Sequence, residues 1–207
     1  TLYILDGKGV GQYRNLSKCR GRELTVDRPW EVLPDSSSLV SIGKFNGRHL
    51  FIGNRFIDAG ISVQLYPPNA ECIVAENKIE RVNATIVGGS LSSKLPWDGI
   101  RVEPSWFNQF LNNVILEGNA WGMASSQMDV YGDNYDSLIP ISRGTIIRNN
   151  VLKNNSSISI SGAVTDALVE GNAVSNSDIG VQVRAKGKTF PTGLLIRNNR
   201  FMNVNKP

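Results

Sequence analysis

A short phrase recurs six times along this chain and constrains its fold more than any other feature. It is clearest as "GTIIRNNVLKNN" at residues 144–155 and as "LLIRNNRFMNV" at residues 194–204. It returns in looser form as "HLFIGNRFIDA", "CIVAENKIERV", "NQFLNNVILEG" and "ALVEGNAVSNS". Aligning one asparagine of each phrase selects Asn54, Asn77, Asn113, Asn150, Asn172 and Asn199. Recurrence of this kind indicates a repeat architecture, in which each copy forms one unit stacked on the next.

Each aligned asparagine has apolar residues at two fixed positions. The residue three before it is Phe51, Val74, Phe110, Ile147, Val169 or Ile196. The residue two after it is Phe56, Ile79, Ile115, Leu152, Val174 or Phe201. Further along, apolar residues alternate with polar ones, as at Ile158 and Ile160, which is the pattern of a strand with one buried face. We expect the aligned apolar residues to point into one continuous core.

The spacing of the asparagines separates the repeats from two insertions. Successive intervals are 23, 36, 37, 22 and 27 residues, and a solenoid turn needs at least about 20 residues. The two long intervals therefore carry insertions, which we place at about residues 88–109 and 118–144. The resulting organisation is an N-terminal β segment at 1–46, with turn and loop signals in "RGRE" and "LPDSSS", followed by repeats over 47–207.

Two repeat architectures place an asparagine beside apolar strands. A leucine-rich repeat also requires an apolar residue eight positions before the asparagine. Those positions hold Asn46, Asn69, Ser105, Ser142, Val164 and Pro191, so one of six fits. A parallel β-helix remains, in which an asparagine at a tight bend stacks on its copy in the next coil and bonds along the ladder. One asparagine of each "NN" pair should form the bend, since Asn tolerates the left-handed backbone region.

With its "IRNN", "EGN" and "IGNRF" phrases, the chain resembles right-handed parallel β-helix proteins of the pectin-lyase-like fold, over roughly residues 47–204. The segment "GKGVGQYRNLSKCRGRELTVDRPWEVLPDSSSLVSI" is similar to a stretch that precedes such coils in bacterial and phage proteins. The resemblance implies an all-β, right-handed, single-stranded parallel β-helix that forms the C-terminal portion of a larger protein, located outside the cell or at its surface. It also implies that further coils of the parent chain precede the first coil. Uncovered strand edges at that coil would also favour association with another copy in a homo-oligomer.

The two insertions carry the residues best suited to a carbohydrate site. Aromatic rings pack on the flat C–H faces of sugars, while carboxylates and guanidinium groups bind sugar hydroxyls. The candidate substrate-binding residues are Trp97, Trp106, Trp121, Tyr131 and Tyr135. The candidate catalytic residues are Asp98, Glu103, Asp133, Asp136 and Arg101. Hydrolysis needs two carboxyl groups roughly 5 to 10 Å apart, and elimination needs a base with a neutralising cation. Basic residues available for elimination are Arg101, Arg143, Arg184, Lys186 and Lys188.

Three functions are compatible with these residues. The first is a glycoside hydrolase or polysaccharide lyase, although the "NTD", "DD" and "GHG" signatures of polygalacturonases are absent from the sequence. The second is a non-catalytic glycan-binding or adhesion module. The third is a structural stalk, in which the tryptophans are lids on the coil and the aspartates form turns or face solvent.

Composition limits the remaining partners. A single histidine, His49, and two distant cysteines predict no metal site of the zinc type. Residues 129–136, "DVYGDNYD", resemble a calcium loop but lack its spacing and closing glutamate, so calcium is only a weak candidate and we expect no cofactor. The net charge of +4 is scattered, so we expect a polysaccharide partner and no nucleic acid. No apolar run reaches the roughly 20 residues of a membrane span.

Overall fold

The computed structural model describes residues 1–83, 85–94, 100–118, 128–133 and 139–206. Within these ranges the regular structure consists of strands, and no residue is helical. The strands in chain order are Leu2–Asp6 (β1), Tyr13–Arg14 (β2), Leu16–Arg20 (β3), Glu23–Val26 (β4), Leu39–Ile42 (β5), Leu50–Ile52 (β6), Arg55–Ile57 (β7), Val63–Leu65 (β8), Asn69–Ala70 (β9), Ile73–Ala75 (β10), Lys78–Glu80 (β11), Thr85–Lys94 (β12), Ile100–Glu103 (β13), Ser105–Trp106 (β14), Gln109–Leu111 (β15), Val114–Leu116 (β16), Met128–Asp133 (β17), Ser142–Arg143 (β18), Ile146–Arg148 (β19), Val151–Lys153 (β20), Ile158–Gly162 (β21), Val164–Thr165 (β22), Leu168–Glu170 (β23), Ala173–Ile179 (β24), Val181–Arg184 (β25), Leu195–Arg197 (β26) and Arg200–Lys206 (β27).

The six phrases supply two parallel sheets, each with one strand from every repeat. Sheet I has the order β6-β10-β15-β19-β23-β26, and sheet II has the order β7-β11-β16-β20-β24-β27. The apolar residues aligned from the sequence are in register: Val74 pairs with Phe51 and Phe110 in sheet I, and Ile79 pairs with Phe56 and Ile115 in sheet II. The same columns continue through the later repeats. The predicted alignment is therefore confirmed.

Two further sheets are built from the segments between the phrases. In sheet III, β8, β12, β17, β21 and β25 are parallel neighbours, and β13 adds an antiparallel edge to the second half of β12. Sheet IV has the order β9-β14-β18-β22. The chain thus visits the same sheets in the same order in successive repeats. All-β structure with long parallel sheets is the architecture that these registers establish.

The core lies between the sheets. Apolar residues from sheets I, II and III form one cluster that includes Val74, Phe110, Met128, Ile147 and Ile160, each at most 1% exposed. Met128 and Val130 of β17 belong to it, and they fall inside the predicted insertion at 118–144. The predicted insertion is therefore not loop throughout, because the alternation of "MDVYGD" makes residues 128–133 a strand of sheet III. In the same way, part of residues 88–109 belongs to β12, β13 and β14.

Each repeat bends at residues in the left-handed backbone region. Directly before the ladder asparagines, the positive φ angles fall at Gly53, Glu76, Asn112, Asn149, Gly171 and Asn198. Two further rows of such bends recur, one beginning with Arg48 and Glu71 and the other with Asp58 and Arg81. In the "NN" pairs that contain Asn113, Asn150 and Asn199, the first asparagine therefore forms the bend and the second is free to stack. This assigns the two roles that the sequence left unassigned within the pair.

The six aligned asparagines form the predicted ladder. The side-chain amide of Asn77 donates to Oδ1 of Asn113 at 2.9 Å, and the same bond recurs from Asn54 through to Asn199. The backbone N–H of each asparagine donates to the same oxygen of the next one. Asn77, Asn113, Asn150 and Asn172 are each 1% exposed. Buried amides are fully bonded in this way, so the ladder fixes the vertical register of the repeats.

The N-terminal segment packs against the side of the repeats. Strands β2, β1 and β5 form a small antiparallel sheet, and β3 with β4 forms a hairpin. Tyr3 contacts Trp106 edge to face with ring centroids 5.2 Å apart, in a second apolar cluster with Leu5, Tyr13 and Ala70. This burial, with the nearby Tyr13, raises the pKa of Tyr3 to about 12. Trp106 thus anchors residues 1–42 to sheet IV.

Candidate functional site

The outer face of sheet III gathers the polar residues of three neighbouring repeats. Since Met128, Val130, Ile158 and Ile160 point into the core, the alternate residues point the other way. Register places Asp129, Ser159 and Gln182 in one row, and Tyr131, Ser161 and Arg184 in the next. A pocket of about 250 Å³ lies on this face, lined by Asp129, Ser161, Arg184, Ala185 and Lys186. We call these rows with Asp133 and Lys186 the sheet III face.

Asp129 is a partly buried carboxyl group on the sheet III face. Burial raises its pKa, and the charge of Asp133 adds to that effect. The Ser159 hydroxyl and the cations Arg184 and Lys186 act in the opposite direction but do not reverse it. The Oδ1 atom of Asp129 and the hydroxyl of Ser159 are buried next to each other on the face that carries the pocket.

Asp133 has a different environment on the same strand. Its carboxylate lies 2.5 Å from the ammonium group of Lys186, which compensates its charge. The same ammonium group lies 4.5 Å from the centre of the Tyr131 ring, a cation–π distance. Two carboxyl groups on one strand therefore differ in kind, one desolvated and one ion-paired. In enzyme sites, two carboxyl groups that have different environments can act as the acid and the base.

Tyr131 is held against a glycine of the adjacent strand. Gly88 of β12 pairs with Tyr131 of β17, and a Cβ atom at Gly88 would lie 2.3 Å from Cζ of the Tyr131 ring. The ring therefore occupies the space that any other residue at position 88 would fill. This packing fixes the position of the ring on the sheet III face, with Lys186 beside it.

Glu103 lies in the same row of the sheet as Asp133. Glu103 of β13 pairs with Ser90 of β12, which pairs in turn with Asp133. Strands are spaced by about 4.8 Å, so the two Cα atoms are roughly 10 Å apart. The described parts of the two predicted insertions therefore meet as neighbouring strands, and they bring Glu103, Tyr131 and Asp133 onto one sheet.

The other predicted site residues fall elsewhere. Trp106 is 0% exposed, so its ring is part of the apolar cluster and offers no face to a sugar; this corrects its assignment as a binding platform. Arg101 lies in β13 opposite Ser92. The remaining candidates, Trp97, Asp98, Trp121, Tyr135 and Asp136, lie outside the described residues, and so does part of the predicted calcium loop at 129–136. Among the described residues, no group of three or more His, Cys, Asp and Glu side chains is arranged to hold a metal ion.

Sequence reasoning passed over Asp129 as a catalytic candidate. The signal was present in "MDVYGD", because strand alternation puts Asp129, Tyr131 and Asp133 on one face once Met128 and Val130 are assigned to the core. Arg184 and Lys186 were named for elimination chemistry without a location. Their proximity to Asp129 follows from sheet register, which the sequence does not give directly.

Comparisons of this chain with protein-family models, with curated proteins and with solved structures found no match. Within the described residues, there is no helical segment with the length and hydropathy that a bilayer crossing requires. The function of the sheet III face is therefore inferred from the residues that form it.

Proposed function

We propose that this chain is a carbohydrate-active protein built as a right-handed parallel β-helix of the pectin-lyase-like kind, and that its sheet III face binds and cleaves a polysaccharide. The architecture is supported by the repeated order of sheets and by the asparagine ladder. We further propose that the chain is part of a larger bacterial or phage protein. That protein lies outside the cell or at its surface, where polysaccharides occur.

The observation that carries the proposal is the raised pKa of Asp129 beside a pocket with two cations. Hydrolysis and elimination both require a proton for the departing glycosidic oxygen. A carboxyl group with a raised pKa holds that proton closer to neutral pH than an ordinary aspartic acid does. Asp129 is the proton donor in this scheme, while Arg184 and Lys186 bind sugar hydroxyls or carboxylates, and Tyr131 contacts the sugar ring.

Asp133 and Glu103 are the candidates on this sheet for the second carboxylate that hydrolysis requires. Asp133 is four residues from Asp129 along one strand, which separates their Cα atoms by roughly 13 Å. This separation is longer than the roughly 5 to 5.5 Å between the carboxyl groups of retaining enzymes and longer than the roughly 6.5 to 9.5 Å of inverting enzymes. It therefore favours elimination, in which a second carboxylate is not needed.

The test is incubation with a panel of neutral and acidic polysaccharides, followed by detection of new reducing ends and of unsaturated products that absorb ultraviolet light. Asp129→Asn should lower turnover by about 100-fold to 10,000-fold, the usual contribution of a general acid. Asp178→Asn is the matched control, since Asp178 is exposed on sheet II, where the side-chain amide of Asn205 donates to its carboxylate. Equal turnover by both variants would refute the role of Asp129.

A non-catalytic glycan-binding module is the second candidate. It is favoured by the buried Asp129 carboxyl and Ser159 hydroxyl groups on the face that carries the pocket, which can bind ligand hydroxyls without any reaction. Retention of the parent on a polysaccharide affinity gel, with no cleavage of any substrate in the panel, would select this function. Absence of both binding and cleavage would leave the structural stalk.

A further inference from the structure

An exposed tyrosine, Tyr66, follows the first strand of sheet III. Val63 and Leu65 of β8 are 4% and 5% exposed and belong to the core cluster. Strand alternation directs the next residue, Tyr66, to the outer face, and Tyr66 is 62% exposed. Single exposed apolar side chains are common on protein surfaces, so the significance of Tyr66 depends on the residues beside it.

Tyr66 stands beside Gly88 of β12. Leu65 pairs with Val87, which makes Tyr66 and Gly88 the next two positions to face each other. The buried side-chain amide of Asn69 donates to the carbonyl of Leu65 at 3.1 Å and to the carbonyl of Gly88 at 3.5 Å. This amide holds the two stretches of chain together, so the backbone position of Tyr66 is fixed relative to sheet III.

Tyr66 belongs to a row of residues that crosses the strands toward the pocket. From Gly88 the strand register leads to Tyr131, Ser161 and Arg184. Neighbouring strands are about 4.8 Å apart, so the Cα atom of Tyr66 lies roughly 10 Å from that of Tyr131 and roughly 19 Å from that of Arg184. Ser161 and Arg184 line the pocket. The row therefore connects an exposed aromatic ring with the pocket.

The two tyrosines of this row differ in the access to their rings. The ring of Tyr131 lies against the backbone of Gly88, and the ammonium group of Lys186 lies 4.5 Å from the centre of the ring. Tyr131 is accordingly only partly exposed, whereas Tyr66 is largely exposed. Tyr66 therefore offers a sugar more open aromatic surface than Tyr131 does.

A carboxylate lies next to Tyr66 on the same face. Strand β13 pairs with the same edge of β12 as β8 does, and it places Glu103 opposite Ser90. Ser90 is two residues after Gly88, so the Cα atoms of Glu103 and Tyr66 lie roughly 7 Å apart. An aromatic ring with a polar group beside it can bind both the C–H face and the hydroxyl groups of one sugar unit.

We propose that Tyr66 and Glu103 form an outer sugar-binding subsite, and that a polysaccharide crosses the strands of sheet III from this subsite to the pocket. This inference rests on the proposed function of the sheet III face. One sugar unit packs on the ring of Tyr66, while Arg184 contacts another unit in the pocket. A polysaccharide that lay along β17 instead, from Asp129 to Asp133, would not reach Tyr66.

Further coils of a larger protein would extend this face without covering Tyr66. A strand added beside β8 bonds to its backbone edge, in the plane of the sheet, whereas the side chain of Tyr66 projects from the face of the sheet. The outer subsite therefore does not depend on whether another coil precedes β8.

Oligosaccharides of graded length test the inference. They are prepared from the polysaccharide of the panel that the parent binds most tightly, and isothermal titration calorimetry gives their dissociation constants. The shortest fill only the pocket, and the longer ones also reach Tyr66. Tyr66→Ala should weaken binding of the longer ones by about 10-fold, as the loss of one aromatic contact implies, and should leave binding of the shortest unchanged. Tyr66→Phe keeps the ring and should bind every length as the parent does.

Cleavage kinetics give a second readout. Tyr66 lies two strands from Asp129, so it contacts the substrate but does not touch the bond that breaks. Tyr66→Ala should therefore raise KM for the polysaccharide by about 10-fold and leave kcat as in the parent. A fall in kcat with KM unchanged would contradict a binding role for Tyr66.

Two further variants separate the outer subsite from the pocket. Leu33→Ala is the matched control for loss of exposed apolar surface, because Leu33 is 70% exposed between β4 and β5, outside sheet III. Arg184→Gln should weaken binding of every length, because Arg184 lines the pocket. Circular dichroism checks that each variant is folded.

The outcomes distinguish this inference from the proposed function. Binding of the longer oligosaccharides by Tyr66→Ala as tightly as by the parent would overturn the outer subsite and leave the proposed function intact. An equal loss at every length would also overturn the outer subsite, since the ring would then act in the pocket or on the fold. A parent that binds no polysaccharide would overturn both.

Discussion

Asn113 donates two hydrogen bonds to a single atom, Oδ1 of Asn150, from its backbone N–H and from its side-chain amide, both at 2.9 Å. A third bond from the same amide reaches the carbonyl of Val74 in the preceding repeat, also at 2.9 Å. One buried side chain therefore links three successive repeats. The ladder therefore fixes the position of each repeat relative to the repeats before and after it.

We predict that Asn113→Ala lowers the free energy of unfolding by about 1 to 3 kcal/mol, because the substitution leaves buried backbone and amide groups without partners. Chemical denaturation followed by circular dichroism measures the change. Asn54→Ala is the matched control, since Asn54 is exposed at the edge of the ladder and receives no ladder bond within the described residues. Its cost should stay within about 0.5 kcal/mol. Equal costs at both positions would mean that stacking contributes nothing beyond the local turn.

The core columns give a second prediction. Ile147 is 1% exposed between Phe110 and Val169, so Ile147→Asp would bury an unpaired carboxylate and should prevent folding. Ile147→Val removes one methylene group and should cost about 0.5 to 1.5 kcal/mol. Circular dichroism and thermal melting of both variants test these expectations. A folded Asp variant with the melting temperature of the parent would show that position 147 does not face the core.

The repeated features were predictable from sequence, and the unrepeated ones were not. Val74, Phe110 and Ile147 recur at one distance from an asparagine, so alignment alone predicts their shared column. Trp106 occurs once, and its burial depends on Tyr3 from a segment with no repeat. Asp129 owes its raised pKa to burial, and sheet register, not local pattern, places Ser159 and Arg184 of other repeats on the same face.

Trp106 gives a third prediction. Its ring is fully buried against Tyr3, yet its Nε1 atom has no hydrogen-bond partner in the described part of the chain. Trp106→Ala should cost about 3 to 5 kcal/mol, because it leaves a large cavity beneath the N-terminal sheet. Trp106→Phe keeps most of the packing and removes the unpartnered N–H group, so it should cost much less. Denaturation of the two variants separates packing from hydrogen bonding, and equal costs would indicate a polar role for the indole.

Asp129 gives a prediction about pH. An unfolded aspartic acid has an ordinary pKa near 3.8, and burial raises the pKa of Asp129 in the folded protein. Between those two values the folded state binds more protons than the unfolded state, so stability is greatest below the lower value and falls as pH rises through the raised pKa. Asp129→Asn removes the titrating carboxyl group, and with it this fall in stability at higher pH.

Urea denaturation of the parent and Asp129→Asn over a series of pH values tests that prediction. The variant should gain stability relative to the parent as pH rises, with the smallest relative gain at the acidic end of the series. Asp178→Asn, at an exposed position on sheet II, controls for the loss of one carboxylate from the chain. A difference between Asp129→Asn and the parent that stays constant with pH would mean that the Asp129 carboxyl is not desolvated.

Gly88 gives the last prediction, which depends on the packing of Tyr131. A methyl group at position 88 would lie 2.3 Å from Cζ of the ring, so Gly88→Ala must displace the ring and, with it, the cation–π contact to Lys186. If Tyr131 contacts a sugar as proposed, Gly88→Ala should weaken retention on a polysaccharide gel about as much as Tyr131→Ala does, although it deletes no group that touches the ligand. Overpacking should also cost about 1 to 3 kcal/mol of stability.

Gly60→Ala is the matched control, because a methyl group there meets no atom within 4 Å, and it should change neither gel retention nor stability. Parent-like retention by Gly88→Ala, alongside a loss for Tyr131→Ala, would show that the ring binds without being held in place by Gly88.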